Sequence, residues 1–306
     1  MSHKPSILLT GGSGLLAVNW FYSKNNEYRV YLGLNEREIH PDNSEVLFLD
    51  FFSEESLMKQ IDSLSPSIVI HTAGLTSVEK CENNPELAFH INVELSSMVA
   101  NVTKRLGIRL VHISTDHLFE GNVSMLTEGA PRKAINVYGK TKALAESMIE
   151  EINPEALIIR TNFYAWGTSY RKSFSDYIIE SLRYEKLLSL FDDVYYTPIL
   201  AENLINIVHE LLERNEKGIF NIVSDDRISK YDFGILIAEE FGLDKSYIER
   251  CSLHSKSNLV KRPYDMSLSN QKVRELLGKN PGTVKQHIAK LHEQEFETKT
   301  KKIQLL

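Results

Sequence analysis

The stretch "VYGKTKALAE" places Tyr138 and Lys142 about one helical turn apart, so both side chains project from one face and can act on one substrate. A free phenol titrates near pH ~10 and is a poor acid or base at neutrality. Lowering that by about three units takes roughly 4 kcal/mol of differential stabilisation, which a neighbouring ammonium in a partly desolvated site can supply. Lys142 is spaced to supply it. Upstream, "ISTD" sets Ser114 and Thr115 at the end of an apolar run, where a hydroxyl can hold a carbonyl oxygen. Together these residues predict proton transfer at a carbonyl oxygen.

Such a site needs a strand end with a helix beside it. Apolar runs recur at Ile7 to Thr10, Arg29 to Leu34, Val46 to Leu49, Ser67 to His71, Arg109 to Ser114 and Ala156 to Arg160. Stretches of helical character lie between them, notably Pro85 to Leu106 and Tyr138 to Ile152. This alternation predicts an α/β fold, a Rossmann-like doubly wound parallel sheet covered on both faces, with its ligand site beyond the carboxyl ends of the strands. Those ends read "TGGSG", "LDFF", "HTAG", "ISTDHLF" and "RTNFYAWG", small, polar or aromatic where a core would continue with Val or Leu. In "TGGSGLLA", Gly11, Gly12 and Gly14 fall where the first strand turns into a helix, a place where bare backbone can close on a phosphate or simply make a tight turn.

Beyond Gly167 the alternation weakens. Helical pieces are expected at 173–186, 201–214 and in "SKYDFGILIAEEFG", "SNQKVRELLG" and "PGTVKQHIAKLHEQ", with "GIFNIVS" returning to the sheet. The expected division is a sheet domain of residues 1–164 and about 187–223, and a smaller, mostly helical lobe of about 165–186 and 224–306. With 306 residues, 42% of them apolar, the chain can bury a sizeable core. A net charge of −6 argues against nucleic-acid binding, and the basic run Lys299 to Lys302 reads as a frayed polar tail. Cys81 and Cys251 read as free thiols in a reducing, cytoplasmic compartment, and no apolar run approaches the ~20 residues of a membrane span. His71 and His112 read as core or near-site histidines, no set of residues has metal-ligand spacing, and Tyr195 and Tyr196 read as packing or as a platform for a base. Met148 and Ile149 belong to the core.

"TGGSGLLA", "HTAG", "STDHLFEG", "YGKTK", "RTNFYAWG" and the late "KRPYDMSLSN", in this order, resemble the extended short-chain dehydrogenase/reductases. Within them the resemblance is to the dTDP-4-dehydrorhamnose reductase group, which also holds the regulatory subunit of methionine adenosyltransferase. It implies NADP or NAD as cofactor and a nucleotide-sugar substrate, with a homodimer allowed. Gly11, Gly12, Ser13, Gly14 and Leu15 would then cradle the pyrophosphate, with Ala17 in place of the usual last glycine. Asp50 and Phe51 would hold the adenine, and Thr72, Ala73 and Gly74 would run beneath the ribose. In the "LNER" strand end, following Asn35, Glu36 would accept from a ribose 2′-hydroxyl and favour NAD, whereas Arg37 would pair with a 2′-phosphate and favour NADP; the lean is to NADP.

The resemblance makes Thr115, Tyr138 and Lys142 the catalytic trio, with Lys142 both lowering the phenol pKa and holding the nicotinamide ribose. Asp116 would bond sugar hydroxyls or be a surface turn acid, and Arg262 would meet a substrate diphosphate or be a solvated arginine. His117 and Phe163 stand where the reductases usually carry Tyr and Trp in the sugar pocket. The implied activity is NAD(P)H-dependent reduction of a nucleotide-activated 4-keto sugar. A cofactor-binding regulatory subunit and a sugar-nucleotide epimerase are the alternatives, while His117 after "STD", in place of glutamate, speaks against a dehydratase.

Overall fold

The computed structural model describes residues 4–256 and 259–306. Seven parallel strands form one sheet in the order Gly218–Asn221, Leu157–Arg160, Arg109–Ile113, Ile68–His71, Ser6–Thr10, Arg29–Leu34, Glu45–Phe48. Strand order reverses beside Ser6–Thr10, so the ends of that strand and of Ile68–His71 open the crevice in which such sheets bind ligands. Side chains alternate between two buried faces. Ile7, Leu9, Ile70, Val111 and Ile159 enter the core on one side, and Leu8, Val69, Leu110 and Ile158 the core on the other. Each is close to fully buried, which is worth about 1.5–3 kcal/mol per large aliphatic side chain and explains why these runs do not alternate with polar residues.

The helix Val137–Ile152 carries Tyr138 and Lys142 and starts where the Asn136 side chain accepts from the Gly139 amide at 2.9 Å. Gly139 lies against the His117 carbonyl so closely that any Cβ would overlap it, and this lack of a side chain brings the Tyr138 turn onto the strand end. The helical run from Pro85 to Leu106 is continuous but widens into a π turn over His90–Glu94. Asn92 in that turn is buried, bonding both the Leu75 amide and carbonyl and the Thr141 hydroxyl at 2.8, 3.1 and 3.0 Å. It thereby ties the 72–75 strand end to the Tyr138 helix.

The lobe has its own core, formed by Phe174–Arg183, Lys230–Glu240 and Val284–Gln294 around Ile178, Phe233, Ile237 and Ile288. It is less purely helical than expected. Leu188–Phe191, assigned by sequence to the sheet domain, pairs with Ile248–Cys251 and buries Leu188 and Leu190 in the lobe core. Phe163–Tyr164 with Ile199–Leu200 and Tyr195–Tyr196 with Ile228–Ser229 form two further short pairs at the junction. The expected frayed tail is also corrected: Thr298–Leu305 is a helix with Thr300 and Ile303 buried, and Lys299 bonds Glu202 at 2.8 Å and Glu297 at 2.8 Å. Among the described residues, no helix is long and apolar enough to cross a membrane.

Candidate active site

A cleft of about 630 Å³ runs along the strand ends, within the ~300–1,000 Å³ usual for ligand sites. At one end Gly11, Ser13, Gly14 and Leu15 line it. Gly11 has φ +72°, and a Cβ there would meet the Ala73 backbone at 2.8 Å, so only glycine lets the first and fourth strand ends meet. The helix that follows, Leu15–Lys24, has no side-chain cap at Gly14 and no acidic residue in its first turn. Its free amides and positive dipole end suit an anion. Asn35, Glu36, Arg37, Phe51, Thr72, Ala73 and Gly74 extend the lining. Of the residues expected there, Gly12 packs on Leu32 beneath the turn, and Asp50 turns to the Phe52 amide at 2.9 Å, so neither faces the cleft.

At the other end Thr115, Asp116, His117, Tyr138, Lys142 and Phe163 converge. Burial pushes the Tyr138 phenol above its ordinary value, against the hydrogen bond of Thr115. The expected effect of Lys142 on that phenol is absent from this arrangement. Its Nζ is taken by the Ile113 carbonyl at 2.8 Å and by His112 Nε2 at 3.1 Å. Burial brings the Lys142 amine down to about 8, with Glu146 opposing. His112 is held well below its usual range by burial and by Lys142, so it faces the ammonium as a neutral acceptor. Its ring stacks on His71 at 5.4 Å, and His71 is fixed by Thr10 at 2.7 Å and Ser96 at 3.0 Å. Both histidines thus form a buried polar floor beneath the site.

Asp116 is only 1% exposed, which removes the surface-turn reading. Its carboxylate accepts from Asn162 at 2.6 Å, and the His117 ring stands edge-on to Tyr138 at 5.5 Å. Lys230, which sequence reasoning missed, reaches the same region from the lobe. Its Nζ lies 3.3 Å from the Tyr196 ring centroid and 4.8 Å from that of Phe174; burial brings it down to about 8 against the pull of Asp116. Only its place at the start of a lobe helix, after Ser229, hinted at it. Arg262 does not line the cleft; it pairs with Glu79.

Behind the site lies a buried ion cluster. Glu146, on the Tyr138 helix, accepts from Arg160 Nη2 at 2.7 Å, from Arg132 at 3.0 Å and from the Ser114 hydroxyl at 2.5 Å. Glu146 and Arg160 are 0% and 1% exposed, so Ser114 braces the strand end through a wholly desolvated contact.

A doubly wound sheet with a glycine turn at its switch point and a Tyr-x-x-x-Lys helix against the fifth strand end defines an extended short-chain dehydrogenase/reductase. Residues 5–296 match the family model described as the RmlD substrate binding domain, and the chain belongs to that family. It is similar to the "Probable low-salt glycan biosynthesis reductase Agl14" of Haloferax volcanii, 29% identical over 92% of this chain and 96% of that one. It is 26% identical to methionine adenosyltransferase 2 subunit beta of Bos taurus, over 79% of this chain and 74% of that one. Among solved structures it resembles a hypothetical dTDP-4-dehydrorhamnose reductase from Sulfolobus tokodaii, with a TM-score of 0.80, 30% identity, and coverage of 91% of this chain and 97% of that one.

Proposed function

We propose that this chain is an NAD(P)H-dependent reductase of a nucleotide-activated 4-keto sugar. The observation that carries the reading is the convergence of Thr115, Asp116, His117 and Tyr138 in the cleft that also holds the glycine turn. Its relatives named as a glycan biosynthesis reductase and a dTDP-4-dehydrorhamnose reductase support the same activity. The site fits a dinucleotide: the uncapped helix start takes phosphates, and Arg37 stands free of any carboxylate among the described residues. When bound, that cofactor supplies a hydride. Tyr138 delivers the proton to the ketone oxygen, and its raised pKa keeps the phenol protonated near neutrality, the form that reduction requires. Thr115 donates a hydrogen bond to that oxygen. The Lys142 ammonium, steadied by Ile113 and His112, holds the nicotinamide ribose. Asp116 takes sugar hydroxyls, and the lobe, to which we assign 188–196 as well, closes on the nucleotide.

A charged Lys142 gives a pH signature. The ammonium persists below about pH 8 and is lost above it, so kcat/KM falls on the alkaline side with a midpoint near 8. Because burial also brings Lys230 to about 8, the limb is measured in Lys230→Met as well. The limb survives in that variant; a profile flat to pH ~9.5, or one flattened by Lys230→Met, contradicts the assignment to Lys142.

We further propose that the preferred sugar differs from dTDP-4-dehydrorhamnose. An imidazole at His117 and a phenyl at Phe163, where the reductases usually have phenol and indole, change both the hydrogen bonding and the width of the pocket. Steady-state turnover of dTDP-, GDP- and UDP-linked 4-keto sugars tests both statements. Reduction of one of them other than dTDP-4-dehydrorhamnose is expected. Highest kcat/KM for dTDP-4-dehydrorhamnose overturns the specificity, and turnover of none overturns the reductase.

A further inference from the structure

The turn from Thr168 to Arg171 reaches from the lobe side of the cleft to the glycine turn. Thr168 and Arg171 pair in an isolated antiparallel bridge, which makes this a tight, defined loop. Three contacts pin it to the dinucleotide-binding side. The Tyr170 hydroxyl donates to the Ser13 carbonyl at 2.8 Å, Arg171 Nη2 donates to the Thr76 hydroxyl at 3.0 Å, and the Trp166 carbonyl accepts from Asn19 at 3.1 Å. The Ser13–Gly14 peptide is therefore held at both ends, since its N–H donates to the Gly11 carbonyl at 2.8 Å. The glycine turn is set in one shape before any phosphate arrives.

The same tyrosine carries a cation. The Arg37 guanidinium carbon lies 4.4 Å from the Tyr170 ring centroid, a cation–π stack that supports one face of the fork. Among the described residues no carboxylate pairs with Arg37, so its in-plane N–H donors remain available. A guanidinium supported on its face and free along its edge is pre-organised for the oxygens of a phosphate monoester. Its neighbour Glu36 also lines the cleft, and among the described residues no side chain holds it.

We propose that the Thr168–Arg171 turn is a clasp for the dinucleotide phosphates, in which Tyr170 positions Arg37 for a ribose 2′-phosphate and so sets a preference for NADPH over NADH. This rests on the dinucleotide-binding reading given above. Tyr170 is a positioning residue, acting through Arg37 and through the glycine turn.

Fluorescence titration of NADPH and NADH against wild type, Tyr170→Ala, Tyr170→Phe, Arg37→Ala and the Tyr170→Ala/Arg37→Ala double variant tests it. Wild type is expected to prefer NADPH by at least about tenfold. Arg37→Ala and Tyr170→Ala each remove most of that preference, and the double variant discriminates no less than Arg37→Ala alone, because the preference acts through one guanidinium, while its affinity for both nucleotides falls by a further factor of about three through the lost bond to Ser13. Tyr170→Phe keeps the stacked ring and the preference but weakens both nucleotides by a similar factor of about three, through loss of the bond to Ser13. A wild-type preference retained in Tyr170→Ala, or additive losses of the preference itself in the double variant, overturns the clasp while leaving cofactor binding intact. Wild type that binds neither nucleotide overturns the dinucleotide reading itself. Should Tyr170→Ala melt below the assay temperature without nucleotide, Tyr170→Phe and Arg37→Ala decide alone, and unchanged NADPH affinity in both overturns the proposal.

Discussion

Tyr138→Phe lowers turnover of the keto sugar by at least about a hundredfold and leaves NADPH affinity within about twofold of wild type. The substitution removes one hydroxyl and keeps the ring, so the edge-on contact with His117 survives and the fold is untouched. What is lost is the protonated oxygen beside Thr115, while Lys142 is turned to Ile113 and His112, and Asp116 is held by Asn162. Steady-state kinetics with a turned-over sugar, alongside a cofactor titration, measures both quantities. Retention of more than about a tenth of the wild-type rate, a loss under ~1.4 kcal/mol of transition-state stabilisation, rules out the role given to Tyr138.

The largest loss of stability is expected from Glu146→Leu. Arg160 is 1% exposed and has Glu146 as its only acidic partner among the described residues, so the variant leaves a buried guanidinium without a counter-charge. Breaking one member of a buried pair costs about 3–5 kcal/mol, because the abandoned charge keeps its full desolvation penalty. The Ser114 hydroxyl loses its acceptor in the same step. Urea unfolding of wild type and variant reads the difference, and a change below about 1 kcal/mol would show that Arg160 finds water or another acceptor when Glu146 is gone. Replacing Glu146 and Arg160 together by apolar residues is expected to recover much of the loss, since neither charge then remains buried alone.

The strands and the catalytic turn were legible because each rests on local chemistry. Leu8 and Leu9 face opposite cores, so apolar residues stand side by side and the run reads as a fully buried strand. Tyr138 and Lys142 share a helix face, a relation that spacing alone conveys. Lys230 reaches Tyr196 and Tyr170 reaches Ser13 only through the packing of the lobe, and their sequence neighbours do not say which residues they meet. For Arg262 the sequence left a substrate diphosphate and solvent as alternatives, and the fold pairs it with Glu79, a partner no local pattern announces. Thr298–Leu305 was hidden by its lysines, because Ile303 and Thr300 are its anchors and three of the lysines bond acids elsewhere or face water. The π turn at Asn92 leaves no trace in an apolar pattern that continues through it.

The strand Gly218–Asn221 is the sheet's edge beside Leu157–Arg160, yet roughly 60 residues, part of the lobe and the sheet-packing helix Ala201–Glu213 among them, are threaded between the two. A ribosome adding ~5–20 residues per second needs about 3–12 s to cover that interval. For those seconds Leu157–Arg160, with four apolar or paired residues and one unsatisfied row of backbone donors and acceptors, stands as an open edge on the nascent chain. This insertion is thus also a delay in completing the sheet. Synthesis that stalls between Arg160 and Gly218 should therefore release chains that aggregate through this edge, where stalling beyond Asn221 should not.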